Sequence, residues 1–244
     1  MPHQEIQNQI KELKEKLEKA NAVTVLTGSG LSADSGIPTF RGKEGLWKEY
    51  RAEELATPGA FRDNPRLVWE WYDWRRGVIA SKEPSAGHYI IAELEKHFTR
   101  FHLITQNVDG LHEKAGSANP IELHGNIWKI RCTQCHRISF NFDVPIHLLP
   151  ACQECGGLLR PHIVWFGEQL EEIDMEKSYA AVEHSDVMLV IGTSGVVHPA
   201  ASFAGIAKRK GAYVAEINLE RSVISDDMDI TLLGKAKDIL PLLL

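Results

Sequence analysis

The feature that most limits the fold of this chain is a series of short apolar runs, the first three of which end in a polar, glycine-bearing loop. Short continuous apolar runs are typical of strands buried on both faces, as in parallel sheets. Four occur, at Ala22–Thr27, Leu103–Thr105, Met188–Ile191 and Tyr213–Asn218. Helical periodicity is found at residues 5–20, and further helices are expected at about 86–97, 172–184 and 199–210. This alternation predicts an α/β fold, a doubly wound Rossmann-like parallel sheet with right-handed crossovers.

Four cysteines stand in two C-x2-C pairs, Cys132 with Cys135 and Cys152 with Cys155. Thiolates suit the borderline-soft Zn2+ ion, and two such pairs can place four sulfurs tetrahedrally around it. A shell of four thiolates leaves no position for water, so one structural zinc ion is expected rather than a catalytic one. The alternatives are a redox-active C-x2-C pair and a zinc ribbon that binds nucleic acid, the latter weakened by the acidic net charge.

Residues 126–165, which contain these cysteines, several prolines and short β-like runs, interrupt the alternation of strands and helices. A chain of 244 residues has room for one large domain and a small insertion. We therefore predict a zinc-binding module at 126–165 and a helical segment of the small domain at 52–85. The Rossmann-like domain would comprise residues 1–51, 86–125 and 166–244.

The composition is that of an ordinary globular protein, with 43% hydrophobic and 25% charged residues, which excludes a disordered or fibrous chain. The net charge of −6 argues against a general binder of nucleic acid or membrane surfaces. No run of about 18 apolar residues is present, so no membrane span is expected. Residues 1–19 alternate charges instead of resembling a secretion signal, and a cytoplasmic location is therefore expected. The sequence does not indicate an oligomeric state.

A glycine-rich turn follows the first predicted strand, where Gly28, Ser29, Gly30 and Ala33 fit the pattern G-x-G-x-x-A. In dinucleotide-binding folds the first glycine makes the tight turn, the second lets the backbone approach a pyrophosphate, and the small third residue allows close packing. A simple tight turn is the alternative. Residues 35–42 are too broken for a long first helix, and no acidic residue closes a second strand about twenty positions on. The pattern therefore indicates a nucleotide site but not hydride transfer.

Further blocks follow this turn in a specific order. They are G-S-G-L-S-A-D-S-G-I-P-T-F-R-G from Gly28, T-Q-N-V-D-G-L-H from Thr105, L-H-G from Leu123, the two cysteine pairs, W-F-G-E from Trp165 and G-T-S from Gly192. Over residues 20–240 the chain thereby resembles the sirtuins, the NAD-dependent protein deacylases. The resemblance implies that NAD, as cosubstrate, and an acyl-lysine protein or peptide meet in the cleft between a Rossmann-type domain and a small zinc module.

The resemblance also implies roles for individual residues. The acyl oxygen of a modified lysine would displace nicotinamide from the ribose carbon, and His124 would then act as general base on a ribose hydroxyl. The products would be nicotinamide, O-acyl-ADP-ribose and free lysine. Asn107 would be the second catalytic residue, holding the ribose or a water. The residues implied in NAD binding are Gly28, Ser29, Gly30, Ala33, Phe40, Arg41, Trp47, Gln106, Asn107, Val108, Asp109, Gly192, Thr193, Ser194, Asn218, Leu219, Glu220 and Ala236.

Tyr72 and Arg75 stand at i and i+3 of a predicted helix, so their side chains share one face. A phenol and a guanidinium can together bind a carboxylate, and the alternative is a core tyrosine beside a solvated arginine. The Y-x-x-R pattern resembles the sirtuin branch that removes negatively charged acyl groups, in which a small residue, matched here by Ala56, widens the pocket. The resemblance implies removal of succinyl and malonyl groups, with deacetylation as a second activity.

Two other functions remain open at this level. A mono-ADP-ribosyltransferase would use the same NAD site to modify a protein side chain. A non-catalytic binding module would combine a zinc ribbon with a degenerate nucleotide fold. The presence of His124, Asn107 and Asp109 together argues against degeneration. Without the resemblance, however, His124 is more typical of a hydrogen-bonded structural histidine, and Asn107 and Asp109 are equally typical of a turn.

Overall fold

The computed structural model describes residues 2–38 and 51–244, and its main sheet has six strands. The strands of the described residues are β1 (Ala22–Thr27), β2 (Arg100–Thr105), β3 (Ile121–Glu122), β4 (Gly125–Cys132), β5 (Ile138–Phe140), β6 (Leu159–Ile163), β7 (Val187–Ile191), β8 (Tyr213–Asn218) and β9 (Ile230–Leu233). The main sheet has the order β3-β2-β1-β7-β8-β9, and all of its pairs are parallel. Because β1 lies between β2 and β7, strand order reverses there, as in doubly wound sheets. The predicted fold class is confirmed.

Helices connect the strands and cover both faces of the sheet. In the described residues they are α1 (Pro2–Lys19), α2 (Ser29–Ala33), α3 (Ala52–Leu55), α4 (Pro58–Asp63), α5 (Pro65–Ala80), α6 (Ala86–His97), α7 (Leu111–Lys114), α8 (Glu172–Glu183), α9 (Ala200–Arg209) and α10 (Ala236–Ile239), with 3-10 turns at Ser225–Asp227 and Leu240–Leu243. None of these helices combines the length and the apolar character that crossing a membrane requires.

Two apolar layers hold the main sheet, one on each face. Val25 of β1 packs in the layer that includes α1, α6 and α10, whereas its neighbour Leu26 packs in the layer that includes α8 and α9. Successive strand residues point to opposite faces, which explains why a strand covered on both sides is a continuous apolar run. Ile10, Leu13 and Leu17 form the apolar stripe of α1 and are buried in the first layer. Each such side chain stabilises the fold by about 1.5–3 kcal/mol.

A second, antiparallel sheet has the order β5-β4-β6. The helix α5 is fixed to it by buried side chains. The Trp69 indole donates to the carbonyl oxygen of Leu159 at 2.9 Å, and the Arg76 guanidinium donates to that of Ile127 at 3.1 Å. The division of the chain into domains at residues 52, 86, 126 and 166 stays a prediction.

The segment 52–85, predicted to be helical, forms three separate helices and ends its helical part at residue 80. Two side chains begin new helices within it. The Thr57 hydroxyl accepts the Ala60 N–H at 3.0 Å, and the Asn64 side-chain oxygen accepts the Leu67 N–H at 3.0 Å. A proline follows each of these caps at the start of the helix, where a missing N–H leaves no hydrogen bond unmade. Because the segment is dense in aromatic residues, these two helix starts are difficult to recognise in the sequence.

Candidate active site

The carboxyl ends of β1, β2, β7 and β8 meet at one edge of the main sheet. Thr27 at the end of β1 is in register with Thr105 and with Ile191, so the loops that follow begin side by side. Open α/β sheets bind ligands outside such strand ends. The structure therefore brings together the predicted cofactor residues at 28–33, 106–109, 192–194 and 218–220. The predicted cofactor residues Phe40, Arg41 and Trp47 lie outside the described residues.

Gly28 and Gly30 bring the first of these loops directly against the loop at Gly192. The Gly30 N–H donates to the Gly192 carbonyl oxygen at 2.8 Å, and a Cβ on Gly30 would stand 2.7 Å from the Gly192 Cα. A Cβ on Gly28 would stand 2.7 Å from the same carbonyl oxygen. Gly192 itself has a φ of +62°, a region that favours glycine. The two glycines are thus required by contact between two loops, and their approach to a pyrophosphate stays a prediction.

Side-chain amides at the strand ends fasten neighbouring loops to one another. Gln106 donates from Nε2 to the Thr193 hydroxyl at 3.1 Å, and Asn107 donates from Nδ2 to the Gly28 carbonyl oxygen at 3.0 Å. Asn218, at the end of β8, donates from Nδ2 to the Thr193 carbonyl oxygen at 2.8 Å. These bonds connect loops from four strands, so the edge is organised before any ligand binds.

The remaining predicted cofactor residues differ from one another in burial and in position. Ala236 is buried at the start of α10, whereas Leu219 and Glu220 are exposed directly after β8. The Ser194 carbonyl oxygen accepts the Val223 N–H at 3.4 Å. Three further predicted cofactor residues lie in the segments that follow β1 and β2. Ser29 and Ala33 are exposed on α2, and Val108 is half-buried.

Asp109 is buried, and both of its carboxylate oxygens accept hydrogen bonds. The Ser32 hydroxyl donates to Oδ2 at 2.6 Å, and the Leu111 N–H donates to Oδ1 at 2.9 Å. Burial raises the pKa of Asp109, while these two bonds and the charge of Arg75 oppose the rise. Ser32 belongs to the G-S-G-L-S-A block but is not among the predicted cofactor residues.

His124 lies half-buried in the turn between β3 and β4. Its Nδ1 is 3.0 Å from the Gln106 carbonyl oxygen. Because a carbonyl oxygen only accepts, Nδ1 carries the proton and Nε2 of the neutral ring keeps a free lone pair. Burial lowers the pKa of His124, and the bond to Gln106 only partly opposes this. The ring therefore offers a nitrogen that can accept a proton near neutral pH, as a general base requires.

A buried polar network below the strand ends was not predicted. The Thr27 hydroxyl lies 2.9 Å from the Thr105 hydroxyl and 2.9 Å from Nε2 of His112. The Thr105 hydroxyl in turn accepts the Asn107 N–H at 3.0 Å. Burial lowers the pKa of His112 well below its ordinary value, so this ring is neutral. A threonine at the end of each of two apolar strands was the signal that could have indicated the network.

Tyr72 and Ala56, two of the three residues predicted to bind the acyl group, lie against the loop that follows β6. Tyr72 is only 2% exposed, and the Ala56 carbonyl oxygen accepts the Phe166 N–H at 2.9 Å. Arg75 is half-buried, and burial lowers its pKa, while the nearby charge of Asp109 acts to raise it. Arg75 therefore lies between the predicted acyl pocket and the predicted cofactor edge.

The four cysteines cluster as zinc ligands require. Their sulfur atoms all lie within 4.8 Å of one another. Cys132 and Cys155 are separated by 3.5 Å between sulfurs, and Cys135 and Cys152 by 3.7 Å. Tetrahedral zinc with Zn–S bonds of about 2.3 Å places its sulfurs about 3.8 Å apart, so the donor set fits this ion. All four positions would be filled by protein, which is the arrangement of a structural site.

Comparison with known proteins extends this picture to the whole chain. Residues 28–199 match the family model described as the Sir2 family. A relative from Aquifex aeolicus (strain VF5), named NAD-dependent protein deacylase, is 52% identical over 221 residues, covering 90% of this chain and 92% of the relative. A solved Sir2 homologue–NAD complex has 45% identity and a TM-score of 0.91, covering 96% of this chain and 92% of that one. A solved Sir2–p53 peptide–NAD+ complex has 29% identity and a TM-score of 0.85, covering 95% of each chain.

The residues matched by the family model include the glycine turn, the loops after β2 and β7 and the cysteine cluster, and the chain belongs to the Sir2 family. It is an enzyme of the NAD-dependent protein deacylase class, with NAD as cosubstrate, as the sequence analysis predicted. The predicted structural zinc is supported by the same family membership together with the clustered thiols. The roles of the individual site residues stay predictions.

Proposed function

We propose that this deacylase preferentially removes succinyl and malonyl groups from protein lysines, with acetyl groups as a second substrate. The observation that carries the proposal is the position of Arg75. It shares one face of α5 with Tyr72 and lies close enough to the Asp109 carboxylate for that charge to act on it. A carboxylate at the far end of an acyl chain would meet a cation there.

The surroundings of Arg75 favour an anionic acyl group over a neutral one. Burial lowers the pKa of Arg75, while the charge of Asp109 acts to raise it. The carboxylate of a succinyl or malonyl group adds a negative charge beside the guanidinium and can accept two parallel hydrogen bonds from it. An acetyl group ends in a methyl and supplies neither. Burial also raises the pKa of Tyr72, so its hydroxyl stays protonated and can donate a further bond.

His124 and the amides at the sheet edge supply the remaining chemistry. When bound, NAD provides an electrophilic ribose carbon and nicotinamide as the leaving group. Nε2 of His124 accepts the proton of a ribose hydroxyl, while Nδ1 keeps its hydrogen bond to the Gln106 carbonyl oxygen. Asn107, fixed by its bond to the Gly28 carbonyl oxygen, orients the ribose or a water molecule.

The proposed acyl carrier is a lysine in a protein or peptide. The solved relative that holds a p53 peptide together with NAD+ supports this class of substrate. Exposed apolar side chains occur on the loops that follow β6 and β7, namely Phe166 on the first and Val196 and Val197 on the second. Apolar contacts of this kind bind a peptide with little dependence on its charge.

Replacement of Arg75 by methionine tests the acyl preference. In Arg75→Met we expect KM for succinyl-lysine and malonyl-lysine peptides to rise about 10- to 100-fold, the loss expected for bonds to a charged group. Turnover of the matched acetyl-lysine peptide should change less than about twofold, because the methyl makes no such bonds. The measurement is a panel of the three peptides with and without NAD, read by mass spectrometry. Arg66→Met, an exposed arginine at the start of the same helix, is the matched control.

Equal losses on succinyl and acetyl peptides would contradict the carboxylate role of Arg75. The same spectra separate the reaction classes. Loss of the acyl mass supports deacylation, whereas a gain of ADP-ribose on the peptide would indicate a mono-ADP-ribosyltransferase instead.

A further inference from the structure

Trp165 makes a polar contact inside the acyl pocket that the sequence analysis did not assign. Its indole Nε1 lies 2.8 Å from the Tyr72 hydroxyl oxygen. Both side chains are buried, at 2% exposure each. The residue belongs to the W-F-G-E block, and the next residue, Phe166, donates its N–H to Ala56. One loop therefore contacts both Tyr72 and Ala56.

The chemistry of indole fixes the direction of this hydrogen bond. An indole N–H is a donor only, so the Tyr72 oxygen must be the acceptor. The hydroxyl hydrogen of Tyr72 consequently does not point at Trp165 and is left for an acceptor elsewhere. A phenol that receives a hydrogen bond also becomes a better donor, because neighbouring hydrogen bonds polarise one another.

Trp165 is itself held from several sides. The guanidinium carbon of Arg160 lies 3.4 Å from the centre of its ring, and the Phe61 ring packs at 5.2 Å between ring centres. The same Arg160 pairs with both carboxylate oxygens of Glu168, at 2.5 and 2.8 Å. Glu168 also accepts a hydrogen bond from the Trp165 backbone N–H at 2.8 Å. The position of the indole is therefore set by the protein and not by a ligand.

We propose that Trp165 is a positioning residue for acyl selectivity, whose indole N–H turns the Tyr72 hydroxyl into a donor for the distal carboxylate of the acyl chain beside Arg75. The inference rests on the proposed preference for succinyl and malonyl groups and deepens it. An acidic acyl group gains a second donor in addition to Arg75. The acetyl group has no acceptor at that position, so its turnover is independent of the Trp165–Tyr72 bond.

A double-mutant cycle on the full-length enzyme tests this. Trp165→Phe removes the indole N–H and keeps an aromatic ring, and Tyr72→Phe removes the hydroxyl. Each single variant should raise KM for the succinyl-lysine peptide about 5- to 15-fold, the effect of one hydrogen bond to a charged acceptor, and should lower the ratio of succinyl to acetyl kcat/KM by the same factor. In the Tyr72→Phe background, Trp165→Phe should cause no further change in the ratio of succinyl to acetyl kcat/KM.

A second replacement separates the N–H from the shape of the ring. Benzothienylalanine at position 165 keeps the size of the indole and has sulfur in place of the N–H. It should reproduce the succinyl KM of Trp165→Phe while its melting temperature and acetyl turnover stay those of wild type. Equal losses on both peptides, or independent losses from the two residues in the cycle, would overturn the positioning role.

The outcomes also separate this inference from the proposal on which it rests. If Arg75→Met fails to discriminate succinyl from acetyl peptide, the acyl preference and the role of Trp165 are both overturned. If Arg75→Met raises the succinyl KM but the benzothienyl variant does not, the preference stands and only the role of Trp165 is overturned.

Discussion

At the scale of single residues, burial and hydrogen bonding act against each other on the groups at the sheet edge. Burial favours the neutral form of both His124 and Asp109, lowering the pKa of the first and raising that of the second. Hydrogen bonds oppose the shift in each case, from the Gln106 carbonyl oxygen and from the Ser32 hydroxyl respectively. The protonation states of His124 and Asp109 therefore depend on a few local hydrogen bonds, each of which a point mutation can remove.

The pH dependence of the reaction follows from His124. Because burial lowers its pKa, Nε2 stays unprotonated below the ordinary histidine value of about 6.5. We expect kcat/KM, which reports the ionisation of the free enzyme, to fall only below that value as the pH decreases. His124→Ala should lower kcat by about 10²- to 10⁴-fold, the usual contribution of a general base.

The exposed His184, at the end of α8, gives a control in His184→Ala, which should keep wild-type kcat. An acidic limb centred above pH 6.5, or a His124→Ala variant with most of its activity, would be incompatible with the assignment of the base.

The same residues show which parts of the candidate site can be predicted from the sequence. His124 and Asp109 could be selected because they stand in short ordered blocks. Ser32 and Trp165 stand in the same kind of block, yet their partners, Asp109 and Tyr72, are 77 and 93 residues away. A contact between residues so distant in the chain depends on strand order and loop geometry, which local patterns do not contain.

At the scale of elements, the cofactor edge depends on two loops that touch through their backbones. The predicted interruption of the first helix is present, since α2 is only five residues long. The loop after β1 therefore turns early and packs on the loop after β7, through the bond from the Gly30 N–H to the Gly192 carbonyl oxygen. Side chains have no space at this contact.

A single methyl group at this contact should disturb both stability and cofactor binding. In Gly30→Ala the added Cβ would lie 2.7 Å from the Gly192 Cα, so the loops must separate. We expect the free energy of unfolding to fall by about 1–3 kcal/mol and KM for NAD to rise, measured by denaturant titration and steady-state kinetics.

Gly77→Ala is the matched control, because this exposed residue of α5 has no atom within 4 Å of the added Cβ. Alanine is the better helix former by about 1 kcal/mol, so this variant should be at least as stable as wild type. A Gly30→Ala enzyme with wild-type stability and NAD dependence would show that the loops are not in contact in solution.

The elements that the sequence did not indicate are the short ones. The four predicted strands are long enough to show an apolar run, and all four are present: β1 and β8 have the predicted ends, while β2 and β7 begin three residues and one residue earlier than predicted. Two further strands, β3 and β9, have two and four residues and lie at the edges of the main sheet. At an edge a strand is covered by fewer neighbours, so its pattern differs little from that of a loop.

At the scale of the whole molecule, one helix connects the proposed acyl pocket to the sheet that carries the first pair of proposed zinc ligands. The helix α5 holds Tyr72 and Arg75, and its Trp69 bonds to the carbonyl oxygen of Leu159 in β6. Asp73 of the same helix accepts the Ile146 N–H at 2.7 Å. The acyl pocket therefore depends on the small sheet, although none of the cysteines belongs to the pocket.

Removal of zinc should consequently affect more than the small sheet. Structural sites of four thiolates contribute directly to folding. We expect a strong chelator to lower the melting temperature, followed by circular dichroism, and to abolish turnover of both succinyl and acetyl peptides. Addition of Zn2+ under reducing conditions should restore both. An apoprotein with unchanged melting and activity would exclude a structural role for the metal.

The strand order also decides when the sheet can be completed during synthesis. The central strand β1 pairs with β7, and Ala22 bonds to Asp186, which lies 164 residues later in the chain. A ribosome that adds roughly 5–20 residues per second needs about 8–33 s to cover that distance. One edge of β1 can pair with β2 only once Arg100–Thr105 has been made, about halfway through this interval, and the N–H and C=O groups of its other edge stay unpaired until β7 is made. How long this edge is open to other strands is thus set by the late position of β7, independently of how stable the finished sheet becomes.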